Sequence, residues 1–163
     1  MLDFRFYQKA YRKLGKASPL RFDCGELCGK GCCQGSENGM VLFPGEEAYL
    51  GLFEHDYDIL ETTYSFKLLK CNASCDRSIR PLACMMFPLF PFLYEDGTLL
   101  VDFDPRARGI CPLLFQDMEE LALEPGFHRG ILRFFRKAVK QREIREFLLF
   151  FTAELDALKK FTE

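Results

Sequence analysis

A chain of 163 residues with 48 % apolar side chains and eighteen Phe has the material for one domain, 1–163, with its own core, and is too apolar for disorder to be the default. Its formal net charge of −2 excludes a surface that coats nucleic acid or membrane by charge alone. No window approaches the ~18 consecutive apolar residues of a membrane span, and Met1 to Lys16 scatter charges where a secretory signal needs an apolar run, so a cytoplasmic protein with reduced thiols is expected.

In chain order, Phe4, Tyr7, Tyr11 and Leu14 recur at helical spacing, and Gly15 marks a stop. Ser18-Pro19 opens a loop that runs into a first cysteine cluster, Cys24 to Cys33, loosened by glycines. Met40 to Phe43 reads as a short strand. Pro44-Gly45-Glu46-Glu47 reads as a helix start with acids in its first turn, and Ala48, Tyr49, Leu52 and Phe53 as that helix's buried face. Over Ile59 to Leu69 the alternation of Thr62, Tyr64, Phe66 and Leu68 predicts one half-buried strand. A second cysteine cluster, Cys71 to Cys84, follows at once. Phe90 to Tyr94 and Thr98 to Phe103 flank Asp96-Gly97, a hairpin signal, and Cys111 lies in the next loop. From Pro125 on, Ile131, Phe134, Phe135, Ala138, Ile144, Phe147, Leu148, Phe151, Leu155 and Leu158 keep helical spacing. A slip between Val139 and Ile144 predicts two helices or one bent helix over 126–161. The fold class expected is α+β: a small helix-rich domain with short strands and a hairpin around a cysteine-rich metal-binding core, 22–114.

The cysteines carry the chemistry. Four of them fall within ten residues, Cys24, Cys28, Cys32 and Cys33, and Cys71, Cys75, Cys84 and Cys111 complete the candidate ligand set, with Cys71 and Cys111 read as spare thiols or as completing a second site. Thiolates converging at ~2.3 Å bind one ion, and short spacings with glycine between let one loop present several. Isolated cysteines often simply pack in a core, but four amid glycine and charge fit ligands better. Adjacent Cys32 and Cys33 point opposite ways in an extended chain, so one ligates while the other packs, or they serve two sites. The spacings admit zinc or an iron–sulfur cluster, [4Fe–4S] if iron. Met85 to Phe92 offers either a shield for such a cluster or plain core. Arg80 is a candidate donor to thiolates, with an ordinary surface Arg as the alternative. His55 and His128 read as packing or surface residues.

These residues resemble the YkgJ-like zinc- or iron-chelating domain family, also called the CxxCxxCC cysteine-cluster family. The resemblance rests on Cys24, Cys28 and Cys32-Cys33, the strand and acidic helix start from Val41 to Glu47, and Arg80-Pro81-Leu82-Ala83-Cys84 followed by Phe87-Pro88. It spans about Phe22 to Leu114. The first spacings here are x3 rather than x2, Cys71 is additional, and Cys111-Pro112 follows the Arg-Pro element instead of preceding it. The resemblance implies metal binding. Flagellin lysine N-methylases are similar in their cysteine cluster, which adds protein methylation as a remote alternative.

Neither a phosphate-binding glycine loop, nor a dinucleotide fingerprint, nor a nucleophile elbow occurs. Asp102 and Asp104 read as a solvated strand end rather than as acid/base groups. Arg129, Arg133, Arg136, Lys137, Lys140, Arg142 and Arg145 read as a solvated helix face rather than a nucleic-acid surface; a protein partner stays open. Three functions fit the pattern: a metal-binding module with a structural or interaction role, an iron–sulfur redox or transferase enzyme, and a metal storage or transfer protein. The absence of a readable substrate pocket favours the first.

Overall fold

The computed structural model describes residues 3–32, 39–54, 56–64, 66–71, 78–114 and 123–162. Helix α1, Phe4–Leu14, starts where the Asp3 side chain accepts the Arg5 N–H. It buries Tyr7, Ala10, Tyr11 and Leu14, as the spacing predicts, but Phe4 at the head of that stripe is 45 % exposed. Helix α2, Cys24–Cys28, is capped by Asp23, which accepts the Gly25 N–H. The first cysteine cluster therefore begins as a helical turn, where a loop was expected.

Strand β1, Met40–Val41, helix α3, Glu46–Leu50, and strands β2, Tyr57–Glu61, and β3, Lys67–Cys71, come next. The three strands form an antiparallel sheet in the order β1-β3-β2. Gly39 leads into it at φ +63°, where a Cβ would meet the Leu69 carbonyl oxygen at 2.9 Å; only glycine fits there without displacement. The single strand predicted over 59–69 is instead a hairpin. Its turn is held by Thr62, whose hydroxyl accepts the Tyr64 N–H at 3.2 Å and donates to the Phe66 carbonyl at 2.6 Å. A side chain thus replaces the ladder where alternation in the sequence continues. The buried face of α3 is Glu46, Tyr49 and Leu50. Leu52 and Phe53, expected on that face, are exposed because the helix ends at Gly51, and Ala48 is exposed too.

Helix α4, Leu82–Met86, runs through a cis Phe87–Pro88 peptide into strand β4, Leu89–Leu93, which pairs with β5, Leu99–Phe103, as the Asp96-Gly97 turn predicts. Every residue of β4 is buried. Met85, Met86, Leu89, Phe90 and Phe92 therefore belong to the core. Two helices follow, α5, Pro125–Ala138, and α6, Arg142–Thr162. The slip between Val139 and Ile144 is a break between separate helices. The seven basic residues from Arg129 to Arg145 are all exposed, a solvated face as expected. Phe43 joins the halves: its ring meets those of Phe90, Phe135 and Phe147 at centroid distances of 6.2, 5.5 and 4.9 Å. One hydrophobic cluster runs from α1 through both sheets to α6.

One carboxylate contradicts the surface reading. Asp104 is 1 % exposed and is gripped by Arg106, whose Nε donates at 2.9 and 3.1 Å and whose guanidinium lies 5.0 Å from the Phe151 ring centroid. A buried carboxylate needs such a charge partner; Asp102, 60 % exposed at its side chain, remains the solvated one.

Buried Thr152 on α6 accepts the Leu93 N–H of β4 at 2.9 Å. Thr152→Val keeps the shape but strands that donor. The expected cost is about 1–3 kcal/mol, read as a lower urea midpoint with unchanged slope; an unchanged midpoint would mean that the hydroxyl contributes nothing.

Candidate metal centre

In α2, Cys24 and Cys28 are one helical turn apart, so both lie on one face. The Cys28 thiol reaches the Cys24 carbonyl at 3.7 Å. The helix stops at Gly29, φ +58°, followed by Lys30 at φ +61°. Two successive left-handed residues reverse the chain, and Cys32 returns beside α2. The first x3 spacing is thus that of a helical turn, and the second spans the left-handed reversal at Gly29-Lys30.

Cys24, Cys28, Cys32, Cys84 and Cys111 line one cavity of about 30 Å³, together with Arg80, Leu27, Phe87 and Pro88 among its walls. That volume holds roughly two water-sized spheres. The five cysteines come from three chain segments. Cys84 arrives on α4. Cys111 arrives from the loop after β5, where its N–H donates to the Ala107 carbonyl at 2.9 Å. Cys111 is buried and the other four are half-buried. Burial raises the Cys111 thiol pKa, and the charges of Cys24 and Cys28 raise it further.

Among the described residues, no three His, Cys, Asp or Glu side chains converge closely enough to hold an ion between them. The thiols share a cavity rather than a point. Cys71 does not line it. It sits on β3 opposite Tyr57 and packs against the core. Cys33, Cys75 and His55 lie outside the described residues. His128 meets the Val101 carbonyl oxygen through Nε2 at 2.9 Å and is a packing residue, as expected.

Arg80 lines the same cavity, and its Nε is buried without a hydrogen-bond partner among the described residues. A buried guanidinium donor left open is costly. Arg80 shares the cavity with five cysteines and apolar side chains, and sulfurs carrying negative charge would suit it as acceptors.

Glu46 is the residue that sequence reasoning missed. It is 0 % exposed. Its Oε1 accepts the Tyr11 hydroxyl at 2.8 Å and the Leu82 N–H at 2.7 Å, and its Oε2 accepts the Phe43 N–H at 2.9 Å. Burial pushes its pKa up to about 7, outweighing these three donors, which act the other way. Burial first, and then the Glu46 charge, pushes the Tyr11 phenol well above its ordinary range. Leu82 opens α4, so its N–H would otherwise be an orphan. Glu46 thereby ties α1, β1 and α3 to the segment carrying Arg80 and Cys84.

Comparisons with protein-family models, with curated proteins and with solved structures find no match.

Proposed function

We propose that this protein binds metal through cysteine thiolates, as zinc or as an iron–sulfur cluster, and that the centre chiefly holds the fold and an interaction surface. One observation carries the reading: five cysteines from three distant segments line a single small cavity. Cysteines placed for packing would be dispersed through the core, as Cys71 is. An all-thiolate set suits zinc or iron–sulfur chemistry rather than magnesium or calcium. Cys24, Cys28, Cys32, Cys84 and Cys111 would hold the group, with Cys33 and Cys75 as further ligands, and Arg80 offsets their charge. The likeness to the YkgJ-like cysteine-cluster family supports the same reading, since Cys24, Cys28, Cys32 and Cys84 all line the cavity. Bound metal would order a glycine-rich loop that has little core of its own.

Anaerobic purification followed by elemental analysis and a visible spectrum tests this. Stoichiometric zinc without colour assigns a zinc centre, and a brown protein with iron and sulfide assigns a cluster. A folded protein that takes up neither ion overturns the reading.

A further inference from the structure

Arg80 is one of the residues lining the thiol-bearing cavity, and its Nε–H has no acceptor among the described residues. Its Nε is buried. Arg80 precedes Pro81, the cap of α4, and Glu46 fixes the next N–H, that of Leu82, at 2.7 Å. The chain just after Arg80 is therefore anchored, and Arg80 lines the same cavity as Cys24, Cys28, Cys32, Cys84 and Cys111. Neutral thiols are poor acceptors. Metal-bound thiolates are good ones, and four of them around a divalent ion leave a net charge of about −2.

We propose that Arg80 is a positioning residue of the metal centre, donating its Nε–H to a metal-bound thiolate and offsetting the excess negative charge of the sulfur set. This rests on the metal-binding reading. The donor is set in place before metal arrives, so no rearrangement of α4 is needed. Arg is suited to the task because it stays charged when buried and its donors are held in a plane.

The test uses the full chain stripped of metal, titrated with cobalt(II) as a spectroscopic probe and with zinc against a competing chelator. For Arg80→Met, zinc affinity is expected to fall about 10- to 100-fold, and the sulfur-to-cobalt charge-transfer band to move to lower energy. The shift follows because a thiolate that loses its hydrogen bond holds its lone pairs less tightly. Arg80→Lys keeps the charge and should lie between. A merely structural Arg80 would change thermal stability while leaving the band in place. Wild-type affinity and an unshifted band in Arg80→Met overturn the proposal. If Arg80→Met does not fold, by far-ultraviolet circular dichroism, Arg80→Lys carries the same comparison and wild-type values there overturn it. A wild-type chain that binds neither cobalt nor zinc is a different result, which overturns the metal reading itself.

Discussion

Replacing Glu46 with alanine is expected to destabilise the protein by about 3–5 kcal/mol, since it strands three buried donors at ~1–3 kcal/mol each while relieving the burial of one carboxyl group. The donors are the Tyr11 hydroxyl and the Phe43 and Leu82 N–H groups. Equilibrium urea unfolding reads the loss, and a change under about 1 kcal/mol would mean that water replaces the carboxylate without cost. The same group makes stability depend on pH. Its folded pKa of about 7 lies above the ordinary carboxyl value of 4.5, so between those values the folded state binds the proton more tightly than the unfolded chain. The contribution is therefore fully present below about pH 4.5 and is lost as pH rises through about 7, on the order of 3 kcal/mol in all. Glu46→Gln does not titrate. The stability difference between wild type and Glu46→Gln should shrink from pH 5 to pH 8; a difference constant over that range would show that the carboxyl ionises freely in place.

Cys84→Ser is expected to abolish stoichiometric metal binding, whereas Cys71→Ser should leave it intact. Cys84 lines the thiol cavity and Cys71 does not. An ion present at a thousand-fold excess over its Kd adds about 4 kcal/mol to the folded state, or about 8–16 °C in Tm for a chain of this size. Differential scanning calorimetry of wild type with and without a strong chelator should show that shift, and Cys84→Ser should show none. Equal metal content in the two serine variants would remove Cys84 from the ligand set.

The elements legible in the sequence are those fixed by local rules. α1, the β4–β5 hairpin and the pair α5 and α6 follow from helical period and turn chemistry within a few residues. The failures have non-local or competing causes. Alternation from Thr62 to Leu68 ran on through a turn that the Thr62 hydroxyl closes. Nothing around Glu46 in sequence announces its burial, because its partners Tyr11 and Leu82 lie 35 and 36 residues away. The same holds for Asp104: one neighbour, Arg106, was in view, but the aromatic wall that buries the pair comes from Phe90 and from Phe151 on α6. Of the candidate site, the cluster of Cys24, Cys28 and Cys32 was visible as a pattern. That Cys111 lines the cavity while Cys71 does not follows from tertiary contacts.

The outward edge of β4 has a consequence for how this protein behaves when concentrated. In the β4–β5 ladder, Tyr94 donates to Thr98, so by the alternation of an antiparallel pair the amides of residues 89, 91 and 93 point away from β5. Residue 91 is proline and has no amide hydrogen to offer. The Leu93 amide is occupied by Thr152. An all-apolar strand such as Leu89–Leu93 would ordinarily be a template for strand addition by another molecule, yet two of its three outward positions offer no free donor. In the folded protein α6 covers this buried edge; once heating loosens that packing, a protein deprived of the Thr152 hydroxyl should form intermolecular β-structure more readily than its loss of stability alone would explain.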